Sequence, residues 1–221
     1  MKSTTIAPKQ TRRRQADRSA ETRRRILDAT ISSLYRLGYA AVTISVVAQE
    51  AGVSRGIIGY HFATKADLMV AVREDVHQHE RRDLDETRTR VGSSEYFRQL
   101  PRHVVNEMRR EPAIAVNEIM LGARADPELS AKLRDTEREI DTRAVTQLRA
   151  YYAEMGIDPP EDLPVIMRVW VAAFRGLAIA DLVQGEDAQV EASIDYLTRL
   201  LQRDLPDGIR ESLPKILSTA S

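Results

Sequence analysis

The chain has no cysteine. That excludes disulfides and thiolate metal sites, and it fits a reducing cytoplasm. Aromatic residues make up 5% of the 221 positions, with a single tryptophan, Trp170. No strand-like alternation, internal repeat or glycine-rich phosphate loop occurs, so every periodic segment reads as helix. No nucleophile, base and orienting group are legible together, so nothing points to an enzyme. His77 and His79 are two residues apart and cannot face one metal from a helix. They read as a solvated pair, and no metal or cofactor is expected. The basic first 25 residues lack the apolar run of a secretory signal, and Asp17 and Glu21 count against a mitochondrial presequence. The most apolar run, 163–183, contains Arg168, Arg175 and Asp181. Those charges argue against a membrane span and for a buried helix.

Net charge is also lacking: 33 basic residues balance 33 acidic ones. The balance hides an asymmetry. Residues 1–65 carry twelve lysines and arginines against four carboxylates, a charge of +8, and the remaining 156 residues carry −8. A basic head on an acidic body is the pattern of a chain whose head meets a polyanion.

Residues 1–20 are polar and aperiodic and read as a flexible basic arm. Ile26, Leu27, Thr30, Ile31, Leu34 and Leu37 then recur at helical spacing up to Gly38. Thr43 is placed to cap a second helix, with Ile44, Val47, Ala48 and Ala51 as its apolar face. Gly52 follows where a left-handed residue ends a helix. Ser54 is placed to cap a short third helix, from which Ile57 and Ile58 should face the other two. Helix, glycine turn, serine cap and short helix make a helix-turn-helix. Gly56 and Gly59 lie inside that third helix, where each costs about 1 kcal/mol relative to alanine. With Arg55 and Tyr60 they fall on the outer face, so their missing side chains would let the backbone approach the DNA major groove.

Further helices are expected from Lys65 onward, over 95–110, 112–123, 127–155, 163–184 and 188–204, about nine in all. The expected fold is therefore all-α. Its divisions are a flexible arm over 1–20, a helix-turn-helix head over 21–65, and a larger helical body over 66–221, which the resemblance described next implies to be a DNA-binding domain and a ligand-binding and dimerisation domain.

The stretch "GYAAVTISVVAQEAGVSRGIIGYHFATKADL" resembles the TetR family of bacterial transcriptional regulators. The matching positions are Gly38, Thr43, Val47, Ala48, Ala51, Gly52, Val53, Ser54, Gly56, His61, Phe62, Lys65 and Leu68, in order and without gaps. The wording "GIIGYHF" is closest to the BetI-like branch. The resemblance implies a three-helix DNA-binding head, a larger helical body, and a homodimer paired through the last two long helices. It further implies repression relieved by a small-molecule effector in the body. On matching positions it implies DNA contacts from Thr43, Ile44 and Ser45 at the start of the second helix. The recognition helix would add Ser54, Arg55, Gly56, Gly59, Tyr60 and His61, and Lys65 would hold a phosphate. The chain departs from the pattern at Gly59, where many members carry a phosphate-binding tyrosine.

The body offers candidates by residue type alone. Met120, Tyr151, Met167, Trp170 and Phe174 are the expected ligand-binding set, the last three on one helical stripe. Arg168 and Arg175 are expected to find carboxylate partners. Val190, Ile194, Leu197 and Leu201 form an apolar row expected to pack against its copy in a dimer. The reading is a cytoplasmic, dimeric repressor acting on a double-stranded DNA operator and answering a small molecule, without a membrane partner. A ligand-blind regulator, and a helical enzyme or adaptor with an incidental helix-turn-helix, remain as alternatives. Sequence-specific DNA binding separates the last, and added small molecules separate the first.

Overall fold

A computed structural model describes residues 8–184 and 188–204, apart from the side chains of 8–14, 94, 98, 184, 188, 201, 202 and 204. The described residues are helical throughout, with no strand. In order the helices are α1 (Pro8–Ala41), α2 (Ile44–Ala51), α3 (Arg55–His61), α4 (Lys65–Val91), α5 (Ser93–Met108), α6 (Glu111–Gly122), α7 (Pro127–Glu154), α8 (Leu163–Gln184) and α9 (Ala188–Asp204).

The chain folds as two compact units. The first joins the residues up to Asp75 to Ile114–Leu133; the second joins Val76–Ala113 to the residues from Arg134 onward. This differs from the expected boundary at 65/66. The first ten residues of α4 after Lys65, and the α6–α7 turn, belong with the head. The expected arm also differs, because α1 is helical from Pro8. Residues 1–7 lie outside the described residues.

In the first unit the helix ends follow from the local residues. At Gly38 the backbone leaves the helix with φ 73°. The Thr43 side chain accepts a bond from the Val46 N–H at 3.2 Å, and the Ser54 hydroxyl accepts one from the Ile57 N–H at 3.3 Å. Each satisfies an amide that a helix start leaves open. Gly52 takes φ 62°; its N–H reaches the Gln49 carbonyl while the Val53 N–H reaches that of Ala48. This paired closure of the last carbonyls needs a left-handed residue, which glycine adopts without a Cβ clash. Ile26, Leu27, Leu34, Val47, Ile58 and Leu68 are fully buried. Ile57, expected to face inward, is 40% exposed. Successive side chains on a helix point about 100° apart, so with Ile58 buried its neighbour turns toward solvent.

The second unit is built on aromatic pairs. Tyr96 meets Phe97 and Tyr151 edge-on at 5.5 and 5.7 Å, and Phe97 meets Tyr152 at 5.5 Å. A second cluster joins Val105, Phe174, Val190 and Ile194, with Leu197 packed against it. That corrects the dimer expectation for α9: Val190 and Ile194 are spent in the chain's own core. Leu197 is partly buried there too, and the Leu201 side chain lies outside the described residues. The buried-helix reading of α8 is corrected as well. Val165, Val169, Leu182 and Val183 are all more than half exposed, and Ile179 nearly so. Arg168 finds the expected carboxylate, Asp141, at 2.9 Å. Asp181 of the same helix pairs with Arg109 at 2.8 Å.

Candidate nucleic-acid interface and body cavity

The outer side of α3 is bare. Arg55, Gly56, Gly59 and Tyr60 are exposed, Tyr60 at 82%, and its ring stands edge-on to His61 at 5.2 Å. Gly56 and Gly59 have no positive φ. A Cβ at Gly59 would meet nothing within 4 Å, and at Gly56 only the Ser54 hydroxyl at 3.8 Å. Neither backbone conformation nor packing within the chain therefore calls for glycine at either position. At the start of α2, Thr43 and Ser45 are exposed and Ile44 is half-buried. Thr43 and Ser54 are occupied as acceptors by their capping bonds, and each keeps a hydroxyl proton to donate outward.

Lys65, expected to hold a phosphate, makes one hydrogen bond within the first unit, which leaves two of its three N–H donors for an outside group. It is half-buried, its ammonium donates to the Tyr39 carbonyl at 3.0 Å, and it lies 3.9 Å from the centroid of the Tyr39 ring. Burial lowers its pKa, opposed by the charge of Asp126.

Around it lies a polar lock that the sequence did not announce. The Tyr39 hydroxyl donates to Asp126 at 2.7 Å, and the Tyr39 N–H donates to Glu118 at 3.0 Å. Burial and then the Asp126 carboxylate push the Tyr39 hydroxyl's pKa up. The Leu129 N–H and the Tyr39 hydroxyl hold the Asp126 carboxyl below its usual range. Lys132 joins Asp67 at 2.6 Å and Glu128 at 2.8 Å, and the Thr64 hydroxyl also donates to Glu128. Gly122 makes room for this lock, since a Cβ there would stand 2.3 Å from the Tyr39 ring. Arg25 is a further head residue that sequence reasoning missed. It donates to the Ala51 carbonyl at 2.6 Å and so ties α1 to the end of α2.

The second unit contains a half-open cavity of about 240 Å³. Tyr151, Met167, Trp170 and Phe174 line it, as expected from their residue types. Met120 does not; it belongs to the first unit. Nothing in a methionine's local sequence says which core it fills. α5 adds Tyr96, Phe97 and Leu100, and α7 adds Tyr152. The polar part of the wall comes from His77, Glu80 and Arg81 of α4 and Gln147 of α7. His77 is 7% exposed, so it is a buried wall residue and not the solvated histidine expected. The spacing of His77, Glu80, Arg81 and Leu84 on one helical face was the available signal, and their polarity disguised it. The Tyr151 hydroxyl donates to Asp85. Burial first, and that carboxylate second, push its pKa up to about 12.

Comparison with known proteins agrees with this architecture. Residues 26–72 match the bacterial regulatory proteins of the TetR family. The chain is 30% identical over 197 residues to an uncharacterised helix-turn-helix transcriptional regulator of Mycobacterium tuberculosis, covering 87% of this chain and 99% of that one. Among solved structures, it resembles a TetR-family regulator from a Rhodococcus species. The TM-score is 0.69 at 20% identity, over 85% of this chain and all of the other. It also resembles Bacillus subtilis FadR in complex with stearoyl-CoA. There the TM-score is 0.61 at 17% identity, over 82% of this chain and 98% of the other. At these identities the two structures speak for the fold.

Proposed function

The chain belongs to the TetR family of bacterial transcriptional regulators, and on that premise we propose that it is a ligand-responsive repressor binding an inverted-repeat operator as a homodimer in the cytoplasm. The observation that carries the ligand-responsive part is the aromatic cavity in the second unit, a concave, mostly apolar site with a few convergent polar groups. The DNA-reading part rests on α3. Its two glycines have no use inside the chain, and its exposed Arg55 and Tyr60, with the half-buried His61, offer donors to base edges and phosphates. Thr43, Ser45 and Ser54 supply hydroxyl donors beside it, and Ile44 an apolar contact. Lys65 fixes the Tyr39 turn through one hydrogen bond and keeps two N–H donors for a phosphate.

The dimer is assigned to α8 in place of the α9 row. Val165, Val169, Ala172, Gly176 and Ile179 recur at helical spacing on its exposed face, and a Cβ at Gly176 would meet nothing within 4 Å. Tyr196 of α9, 56% exposed, borders a shallow groove with Ala173 and Leu177. By length and composition α8 is apolar enough to cross a membrane. Covering its face with a second copy leaves the ion pairs at Arg168 and Asp181 in place, whereas a bilayer would surround them with hydrocarbon. A dimer sets two recognition helices about 34–36 Å apart, or a multiple of that, and so requires a palindromic site.

One measurement tests the whole reading: operator affinity by gel retardation, with and without a library of small organic compounds, on parent and Val169→Glu protein. The expected result is tight, salt-sensitive binding to an inverted repeat that a compound weakens about 5–150-fold. Val169→Glu should sediment as a monomer and bind a half-site poorly. A parent protein that sediments as a monomer, or that binds random DNA equally well, overturns it.

A further inference from the structure

Among the described residues, Arg81 lines the cavity without a carboxylate partner. The one partner of its guanidinium among those residues is the neutral Gln147 carbonyl oxygen, 3.3 Å away. The Arg81 Nε is buried and makes no hydrogen bond. Among the described residues no carboxylate pairs with Arg81, in contrast to Arg88, Arg102, Arg109 and Arg168 of the same unit, each of which has one. Glu80 also lines the cavity, but it is engaged by another group of the chain. The rest of the wall is overwhelmingly apolar, with Trp170, Phe174 and Tyr152 among its rings.

A cation turned toward an apolar space is costly unless a counter-ion joins it. The planar guanidinium fork matches a carboxylate in both charge and shape. Aromatic rings alone would equally suit an organic cation, but a fixed guanidinium in the same wall repels one. We propose that the effector is a compact organic anion, an aromatic or branched apolar body bearing one carboxylate, whose oxygens accept from Arg81 Nε and Nη while its body fills the space beside Trp170. This rests on the reading of the second unit as the effector-binding part. It adds the chemical class of the effector and the residue that selects it.

The test uses the full-length protein and three probes sharing one body: 4-butylbenzoate, 4-butylbenzamide and 4-butylbenzylammonium. Titration calorimetry at neutral pH should show the benzoate binding about tenfold or more tighter than the amide, the gain of a charge-assisted hydrogen bond over a neutral one. The ammonium should bind weakest. In Arg81→Met the benzoate should fall to the level of the amide, with amide binding unchanged. Gln147→Leu, which keeps the guanidinium, should retain the benzoate preference, so a folding defect in one variant does not decide the matter. Tightest binding by the ammonium, an unchanged order in Arg81→Met, or no binding by any probe overturns the proposal. If the benzoate binds as expected but leaves operator affinity unaltered, the anion site stands and the ligand-responsive reading fails instead.

Discussion

The two units spend their polar residues in opposite ways. In the first, polar side chains close on backbone: Thr43 and Ser54 on helix starts, Arg25 on the Ala51 carbonyl, Lys65 on the Tyr39 carbonyl, Asp126 on the Leu129 N–H. The interior of that unit is filled by Ile26, Leu34, Ile58 and Met69. In the second, aromatic rings are arranged around a space, and a guanidinium faces it without a carboxylate. The difference teaches what each unit must hold constant. A surface that reads a rigid duplex needs its own backbone fixed before the partner arrives. A site that responds to a small molecule needs room, and one polar group left to be satisfied.

The largest expected effect tests filling against space. Ile58→Ala removes a fully buried side chain from the head and should cost about 2–5 kcal/mol in chemical denaturation. Met167→Ala enlarges a cavity already present, so it should cost less than about 2 kcal/mol, below the usual range for a methionine truncated in a filled core. Equal costs would break the comparison.

Next come two glycines of the first unit that differ only in what surrounds them. Gly122→Ala drives a methyl group into the Tyr39 ring and should destabilise by about 1–3 kcal/mol. A Cβ at Gly56 makes only ordinary contact, with the Ser54 hydroxyl at 3.8 Å, so Gly56→Leu should leave stability unchanged or raise it by up to about 1 kcal/mol, while abolishing operator binding. A Gly56→Leu protein that binds its operator normally would remove the groove-approach argument.

The smallest effect concerns acid. In the lock, Asp67, Asp126 and Glu128 all have pKa values lowered in the fold by hydrogen bonds from Lys132, Leu129, Tyr39 and Thr64. Stability from such groups is fully present above their ordinary values of 3.8 and 4.5 and is lost as pH falls through the lower, folded values. Thermal melting followed from pH 7 to pH 2.5 should therefore steepen below about pH 4.5. Asp126→Asn should flatten part of that decline; an unchanged acid profile in the variant would show that the lock contributes nothing to it.

Much of this was legible along the chain. Gly38, Gly52 and Gly156 mark helix ends because each takes a positive φ that other residues avoid. Thr43 and Ser54 cap where their positions say they should, since a cap bond spans only three residues. The stripe of Met167, Trp170 and Phe174 does line a cavity. Other features were hidden by sequence distance. Tyr39 meets Glu118 and Asp126 across 79 and 87 residues, and no local pattern encodes that meeting. Gly185, expected to end α8, lies outside the described residues.

By itself the sequence determined most of the helices after residue 20, the Thr43 and Ser54 caps and the helix-turn-helix, because each rests on interactions within one or two turns of chain. Only the tertiary structure decided what covers each apolar face. Periodicity shows that Val190 and Ile194 share a face, but not that α5 and α8 fill it from within the same chain while Val165 and Val169 of α8 stay exposed. It shows that Met120 is apolar, but not which unit it joins. It shows an arginine at 81, but not that folding sets it beside a cavity with the Gln147 amide as its hydrogen-bond partner among the described residues. Burial and pairing depend on which distant segments meet, and one helix's pattern is compatible with many such meetings.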